Sequence, residues 1–463
     1  MIKTKPKPYT ATRNACKMCT PLGATLVFHG IQGTIPLLHG SQGCSTYMRR
    51  YLISHFREPV DIASSNFTED TAIFGGRKNL ELAIKNVASQ YTPEMIGIAT
   101  TCLSETIGDD VAMILNGIGN TVGDTILVHV STPSYTGTHV DGFHGAVRAV
   151  VDRCNPLTPQ MAYDSLKRKK INVFPGMLSN EDLRHLKEIF TDFTTDFTIL
   201  PDYSERLEGP SWEDYQAIQR GGTPIGEIKS MHRASASVEF GSILAGTVAQ
   251  QEGQSAGSLL KERFEVPLAS LGIPVGVKAT DSFFSELERL TLKPTPEKYT
   301  KQRGRLIDAY VDGNKYVSRK SAVVYGEEDF VVAMAGFLAE VGIIPVLCAS
   351  GGKSGLLEKA LETILSPNIL KQVTVHQGMD FTQMEEAARL LSPDFVMGNS
   401  KGYTMSRHLN VPLVRVGFPI HDRMGGPRVL HIGYKGAQEL FDTIVNTLLQ
   451  WQQDTSKIGY AYM

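Results

Sequence analysis

Cysteine is scarce in this chain, with six thiols unevenly spaced over 463 residues. A secreted disulfide scaffold is short and dense in cysteine, so that class is excluded and a reduced, cytoplasmic setting is expected. Long apolar runs are lacking as well. No stretch approaches the about 20 residues that a membrane-spanning helix needs. The basic start, Met1–Asn14 (MIKTKPKPYTATRN), lacks the apolar segment of a secretory signal and the amphipathic Arg/Ser pattern of a transit peptide. Nor is there an excess of one charge: 46 Lys and Arg against 48 Asp and Glu leave a formal net charge of −2. The basic footprint of a nucleic-acid binder is therefore missing. The local cluster Lys167–Lys170 reads as the solvated end of a helix. Low-complexity tracts and solenoid-period repeats are absent too.

What is present is an ordinary globular composition, 42% hydrophobic and 20% charged, on a chain too long for one core. Short apolar runs end in small or polar residues: Met95–Cys102, Thr125–Val130, Ile171–Gly176, Ser321–Gly326, Ile343–Ser350, Phe395–Ser400 and Val411–Phe418. Runs of this kind suit strands buried on both faces, as in a parallel sheet. Helical patterns lie between them at Glu181–Phe190, Asp329–Val341 and Met384–Leu391. The alternation predicts an α/β fold of three Rossmann-like domains with mostly parallel sheets. Pro-containing breaks at Cys154–Gln160 and Thr291–Lys301 place the units at 1–158, 159–318 and 319–463.

The first third carries the sharpest chemical signal. Cys16 and Cys19 form C-x-x-C in a loop, Cys44 ends the turn His39–Cys44 (HGSQGC), and Cys102 ends a predicted strand. C-terminal strand ends face the ligand crevice of an α/β sheet, so these thiols can converge on a soft metal, with iron–sulfur clusters the usual load. Gly40, Gly43, Gly75 and Gly76 fall in predicted turns where backbone approaches closely, equally at home in an ordinary α/β fold. C-x-x-C alone also fits zinc or a redox dithiol. Zinc is disfavoured because no second pair stands at structural-zinc spacing. An isolated Cys44 or Cys102 is more often a small buried hydrophobe, and Cys154 and Cys348 read as packing residues.

Around these residues the chain resembles the β-type subunits of nitrogenase component 1. The likeness is carried by Lys17–Gly23 (KMCTPLG), His39–Cys44, His55–Pro59 (HFREP), Phe67–Gly76 (FTEDTAIFGG), Thr100–Asp110 (TTCLSETIGDD) and Thr132–His139 (TPSYTGTH). Arg303–Asp308 (RGRLID), Gly398–Gly402 (GNSKG) and Gly417–Arg423 (GFPIHDR) continue it in order. The resemblance implies an 8Fe-7S P-cluster shared with an α-type subunit, on Cys19, Cys44 and Cys102 with Ser134 as the fourth position. Cys16 is extra to that pattern and receives no ligand role. The resemblance further implies an α2β2 heterotetramer, a homodimeric ATP-binding iron protein as electron donor, and a substrate-reducing iron–sulfur cofactor in the partner. No catalytic residue is then expected in this chain.

Three relatives compete: a dinitrogen-reducing β subunit, a nitrogenase-like reductase of the methylthio-alkane type, and a scaffold on which nitrogenase cofactor is assembled. Cys19 and Cys102 count against the scaffold, which usually keeps only the HGSQGC cysteine. Asp422–Gly436 (DRMGGPRVLHIGYKG) looks scaffold-like, and the mixture tilts the reading to the methylthio-alkane type. Elsewhere, Ala349–Gly355 (ASGGKSG) is half a phosphate-binding loop, since Leu347 stands where the pattern needs glycine. It leaves a nucleotide-dependent enzyme as a non-metal alternative. Asp109, Asp110 and Glu105 read as helix-start acids rather than catalytic ones. His39 and His139 are candidates for hydrogen bonds near the cluster. His421 departs from the family's GFPIxDR segment.

Overall fold

The computed structural model describes residues 14–118, 122–157, 168–212, 214–250 and 255–457. Among these residues, thirteen strands make three sheets. The first holds β1 (Thr34–His39), β2 (Ala63–Ser64), β3 (Met95–Thr100) and β4 (Ile126–Val130), in the order β2-β1-β3-β4. The second holds β5 (Arg168–Phe174), β6 (Asp196–Ile199), β7 (Ala234–Phe240) and β8 (Leu268–Leu271), in the order β6-β5-β7-β8. The third holds β9 (Ser321–Gly326), β10 (Ile344–Ser350), β11 (Thr374–His376), β12 (Phe395–Gly398) and β13 (Leu413–Arg415), in the order β11-β10-β9-β12-β13.

Every pairing of these strands is parallel, with helices returning the chain between them, so the molecule is α/β. Each order reverses once, between β1 and β3, between β5 and β7, and between β9 and β12. Such reversals open the crevices in which α/β proteins hold ligands. We propose the divisions 1–158, 159–318 and 319–463 for the units. Residue 158 lies outside the described residues, and the last helix, Gly433–Thr455, reaches back across the second division to pack on Gly276–Thr291 and Glu297–Val317.

A central helix, Thr20–His29, is buried along its whole length. Its sequence permits this because only the His and Thr side chains are polar and Pro21 sits in the first turn, where a missing N–H is harmless. It packs against His139–Cys154 through paired glycines. A Cβ on Gly23 would lie 1.7 Å from the His139 carbonyl oxygen, and one on Gly142 would lie 1.9 Å from that of Thr20. The two backbones therefore meet with no room for side chains.

Polar ties join the units. The buried Arg206 guanidinium donates to the carbonyls of Ile31 (2.9 Å) and Thr34 (2.7 Å). The Asp182 carboxylate accepts from the backbone N–H groups of His431 (2.7 Å) and Ile432 (3.1 Å) and pairs with His431 Nδ1 (2.9 Å). Burial pushes the Asp182 carboxyl up, but these partners outweigh it and hold it below the usual range. Its contribution to stability is thus present above the unfolded carboxylate value, near 3.9, and is lost as pH falls through the lower folded value. Asp182→Ala is expected to cost about 3 kcal/mol in a chemical-denaturation series, and to flatten the acid limb of stability against pH.

Two readings are corrected here. The run Lys167–Lys170 is no helix end: the described part, from Arg168, enters β5, and Lys170 is buried against Glu227. Gly43 is not in a turn but in the first turn of the helix Gln42–Phe56, where a Cβ would meet only Ser41 Oγ at 3.9 Å. Gly40 and Gly76 do approach other atoms closely: Cβ atoms there would strike Thr101 Oγ1 at 2.1 Å and a Phe67 ring carbon at 2.4 Å.

Candidate metal centre

Four segments bring the candidate residues to one end of the first sheet. Cys19 immediately precedes the helix Thr20–His29 as its N-cap residue. The chain leaving β1 turns at Gly40 and starts the helix Gln42–Phe56, on whose first turn Cys44 lies. The chain leaving β3 is capped by Thr101 and begins the helix Cys102–Ile107. Cys44 and Cys102 thus follow the two strands that flank the reversal point of the sheet. Ser134 lies in the loop after β4, the neighbour of β3. Cys44 and Cys102 are therefore helix-start residues, not the end of a turn and of a strand, because the extended backbone ends at the N-cap residues Ser41 and Thr101.

Hydrogen bonds knit the loops. Ser134 N–H points at Cys102 Sγ (3.3 Å), and Ser134 Oγ accepts from Thr20 N–H (3.1 Å). The Ser134 hydroxyl therefore satisfies a free N–H at the start of the central helix. Lys17 reaches across to the Gly137 carbonyl (3.1 Å), and Ser131 Oγ donates to Glu105 (2.6 Å). Ser41 Oγ donates to Cys44 Sγ (3.8 Å). Met18 N–H donates to His139 Nδ1 (3.4 Å), fixing the residue beside Cys19.

Cys19 and Cys102 are near enough to Cys44 to influence its thiol. Burial pushes the Cys44 thiol up, Ser41 offsets part of this, and the nearby Cys19 and Cys102 sulfurs push the same way as burial. Three neighbouring thiolates repel unless positive charge lies among them, and a metal core supplies it. Cys19 and Cys44 are half-buried and Cys102 is exposed, so the group opens outward. Among the described residues, no three His, Cys, Asp or Glu side chains gather tightly enough for a single metal ion. The donor set fits an iron–sulfur cluster.

The other sequence candidates have different partners. Cys16 is buried with Tyr325, Leu347 and Phe381 in a core of the third sheet, and burial pushes its thiol up to about 12. With Cys16 buried there and Cys19 at the opening, the C-x-x-C does not face a single reactant as a dithiol would. Cys154 and Cys348 are buried packing residues as expected. Asp109 accepts from Gly76 N–H (3.0 Å) and from His39 Nε2 (3.1 Å), and Asp110 caps Met113 N–H (2.9 Å). Their roles are structural. His39 also meets Ser65 Oγ at 3.0 Å, so both its ring nitrogens are engaged away from the sulfurs. The His421 carbonyl accepts from Arg57 (3.0 Å), a role its side chain does not determine.

Donors of the Gly-rich turn are engaged, two of them by other segments. Ser354 N–H donates to Glu328 (3.3 Å), Gly355 N–H to Gln377 (2.8 Å) and Gly352 N–H to Ser350 Oγ (3.0 Å). Three of the donors that a phosphate would need are therefore taken. Two neighbours of the thiols went unread in the sequence. Tyr47 stands three residues after Cys44 on the same helix and against Cys19; burial, then the Cys19 sulfur, pushes its hydroxyl up. Lys401 lies near Cys16 and Cys19 and donates to the Ala15 carbonyl. Helical spacing from Cys44 was the signal for Tyr47; nothing local signals Lys401.

The family model for nitrogenase component 1 type oxidoreductase matches residues 19–449. The nitrogenase molybdenum–iron protein β chain of Clostridium pasteurianum is 34% identical over 439 residues, covering 94% of this chain and 93% of that one. The β chain from Azotobacter vinelandii is 34% identical over 457 residues, covering 95% and 84%. A solved chain of nitrogenase Cp1 at pH 6.5 superimposes with a TM-score of 0.92 at 31% identity, over 100% of this chain and 98% of that one. This chain belongs to the nitrogenase component 1 type oxidoreductases, as a β-type subunit.

Proposed function

We propose that Cys19, Cys44 and Cys102, with Ser134 beside them, hold one side of an 8Fe-7S P-cluster shared with an α-type subunit. The observation that carries this is that three helix starts at one open end of the first sheet present Cys19, Cys44 and Cys102, with Ser134 N–H on Cys102 Sγ. When bound, such a cluster takes up and releases electrons singly. The chain's own part is to orient the thiols through the starts of three helices and to supply nearby N–H donors, Ser134 N–H among them. Lys17 pins the Ser134 loop to the Cys19 segment.

An exposed apolar patch supports a partner-covered face. Phe74 is 83% exposed and Tyr135 63%, with Ile73 and Leu103 also uncovered. Phe74 ends a helix packed on Cys102–Ile107, so the patch adjoins the thiols. Large uncovered side chains beside a reactive site mark an association surface. The assembly expected is an α2β2 heterotetramer served by an ATP-dependent iron protein, with the substrate-reducing iron–sulfur cofactor in the α-type subunit. The named relatives are molybdenum–iron β chains, so they add nothing to the methylthio-alkane reading. Substrate is decided in the partner.

Co-expression with the α-type partner and anaerobic purification test the proposal. A brown heteromer with iron and acid-labile sulfide is expected, bleaching on exposure to air. A colourless, fully folded heteromer without iron would refute it. Ser134→Ala is expected to spare the iron content while loosening the Thr20 helix start, a loss of about 1 kcal/mol seen as a lower Tm.

A further inference from the structure

A cavity of about 720 Å³ lies behind the Ser134 loop. It opens where strands of all three sheets end, with walls from Ser131–Thr138 after β4, Ile243–Leu244 after β7, Gly326–Asp329 after β9 and Ser350–Ser354 after β10. Carboxyl-end crevices lined by polar groups are where α/β proteins hold small molecules. The component 1 assignment and the thiol centre leave this space without a role.

The walls carry both signs of charge: the carboxylates are held by N–H and hydroxyl donors, whereas two cations have no hydrogen-bond partner among the described residues. Asp141 accepts from Thr138 N–H (2.6 Å) and its hydroxyl (2.9 Å). Glu327 caps its own helix at Asp329 N–H (3.1 Å), Glu328 accepts from Ser354 N–H, and Asp329 accepts from Ile243 N–H (2.7 Å). The cations differ. Arg148 is half-buried on the wall and has no hydrogen bond or ion pair among the described residues, and its Nη1 is sealed from solvent. Lys353 stands exposed at the edge, its ammonium likewise unpartnered among the described residues. A guanidinium nitrogen sealed from solvent without an acceptor is costly and calls for a missing partner.

We propose that this cavity binds a small organic or phosphate polyanion, with Arg148 gripping one anionic group and Lys353 closing on another. Arg suits the first task because its planar fork meets carboxylate and phosphate oxygens in pairs, and Lys suits the second as a mobile point charge. The N–H groups of Gly352, Ser354 and Gly355 in the Gly-rich turn are occupied and play no part. Bound there, the ligand would lie against Thr136 and Gly137, the loop that also positions Ser134. The proposal stands apart from the thiol reading and would survive its failure.

Equilibrium dialysis of the anaerobic heteromer with labelled citrate, and separately with labelled pyrophosphate, tests it. Saturable binding with half-saturation below about 1 mM is expected for one or both probes. Citrate alone would identify a carboxylate ligand, and pyrophosphate alone a phosphate ligand. Arg148→Met is expected to weaken binding about tenfold or more, the loss of a charge-assisted pair. Lys353→Met, at an exposed position where folding is not at stake, is expected to weaken it several-fold and decides the matter if the Arg148 variant fails to assemble. Absence of saturable binding by both probes would overturn the proposal. So would equal affinity in the parent and in both variants.

Discussion

Cys44→Ala will yield a heteromer stripped of the iron shared between the two subunits, and much of it will fall apart into separate chains. Cys19 and Cys102 both influence the Cys44 thiol, Ser41 Oγ donates to its sulfur, and its helix starts just after the Gly40 turn. Loss of a residue that merely orients a metal ligand costs roughly 10–100-fold in affinity, so loss of the sulfur itself costs more. On the proposed reading metal binding is also assembly energy, because a shared cluster would grip both subunits at once. Iron analysis and sedimentation of the anaerobic protein measure the two effects together. Cys16→Ala is the control: its buried thiol should leave iron content unchanged, at a packing cost of about 1 kcal/mol.

Gly142→Ala, or its counterpart Gly23→Ala, will prevent normal folding. The added methyl would sit 1.9 or 1.7 Å from a backbone carbonyl oxygen, and neither main chain can turn aside as a flexible side chain would. Overpacking in a core usually costs 1–3 kcal/mol, and a backbone collision between two central helices belongs at or beyond about 3 kcal/mol. Thermal unfolding and the yield of soluble protein report it. The same move would push Cys19 away from the Ser134 loop, since Cys19 caps one helix and Thr138 the other. Iron content should therefore fall even where some protein folds. Gly304→Ala is the contrast, because a Cβ there meets nothing and helix propensity improves.

The strands that were legible in the sequence are those buried on both faces. Ser321–Gly326 carries four consecutive apolar residues and stands in the fold as read. Strands such as Asp196–Ile199 and Ala234–Phe240 escaped notice because polar residues interrupt them: Thr198, Ser237 and Glu239 are buried by tertiary packing that no local pattern announces. Lys170 misled for the same reason, its charge being answered by Glu227 far along the chain. Gly43 misled because the Ser41 cap starts a helix one residue earlier than the glycine suggested.

At the candidate centre, residue types were readable and their surroundings were not. The resemblance placed Cys19, Cys44, Cys102 and Ser134 by motif. Burial of Cys16 against Tyr325, by contrast, depends on a contact across more than 300 residues, formed when Phe381 N–H bonds to the Asn14 carbonyl and Ala15 bridges Asp380. The half P-loop looked open because its acceptors, Glu328 and Gln377, arrive from other segments. Arg148 gave no sign at all, sitting in a helix whose pattern is simply amphipathic.

A structure of the anaerobic heteromer solved with iron-specific anomalous scattering bears most directly on the centre. Iron density in bonding contact with the sulfurs of Cys19, Cys44 and Cys102, continuing onto ligands of the α-type subunit, is the result expected. Bare sulfurs in an intact heteromer, with iron lying elsewhere or not at all, would contradict it.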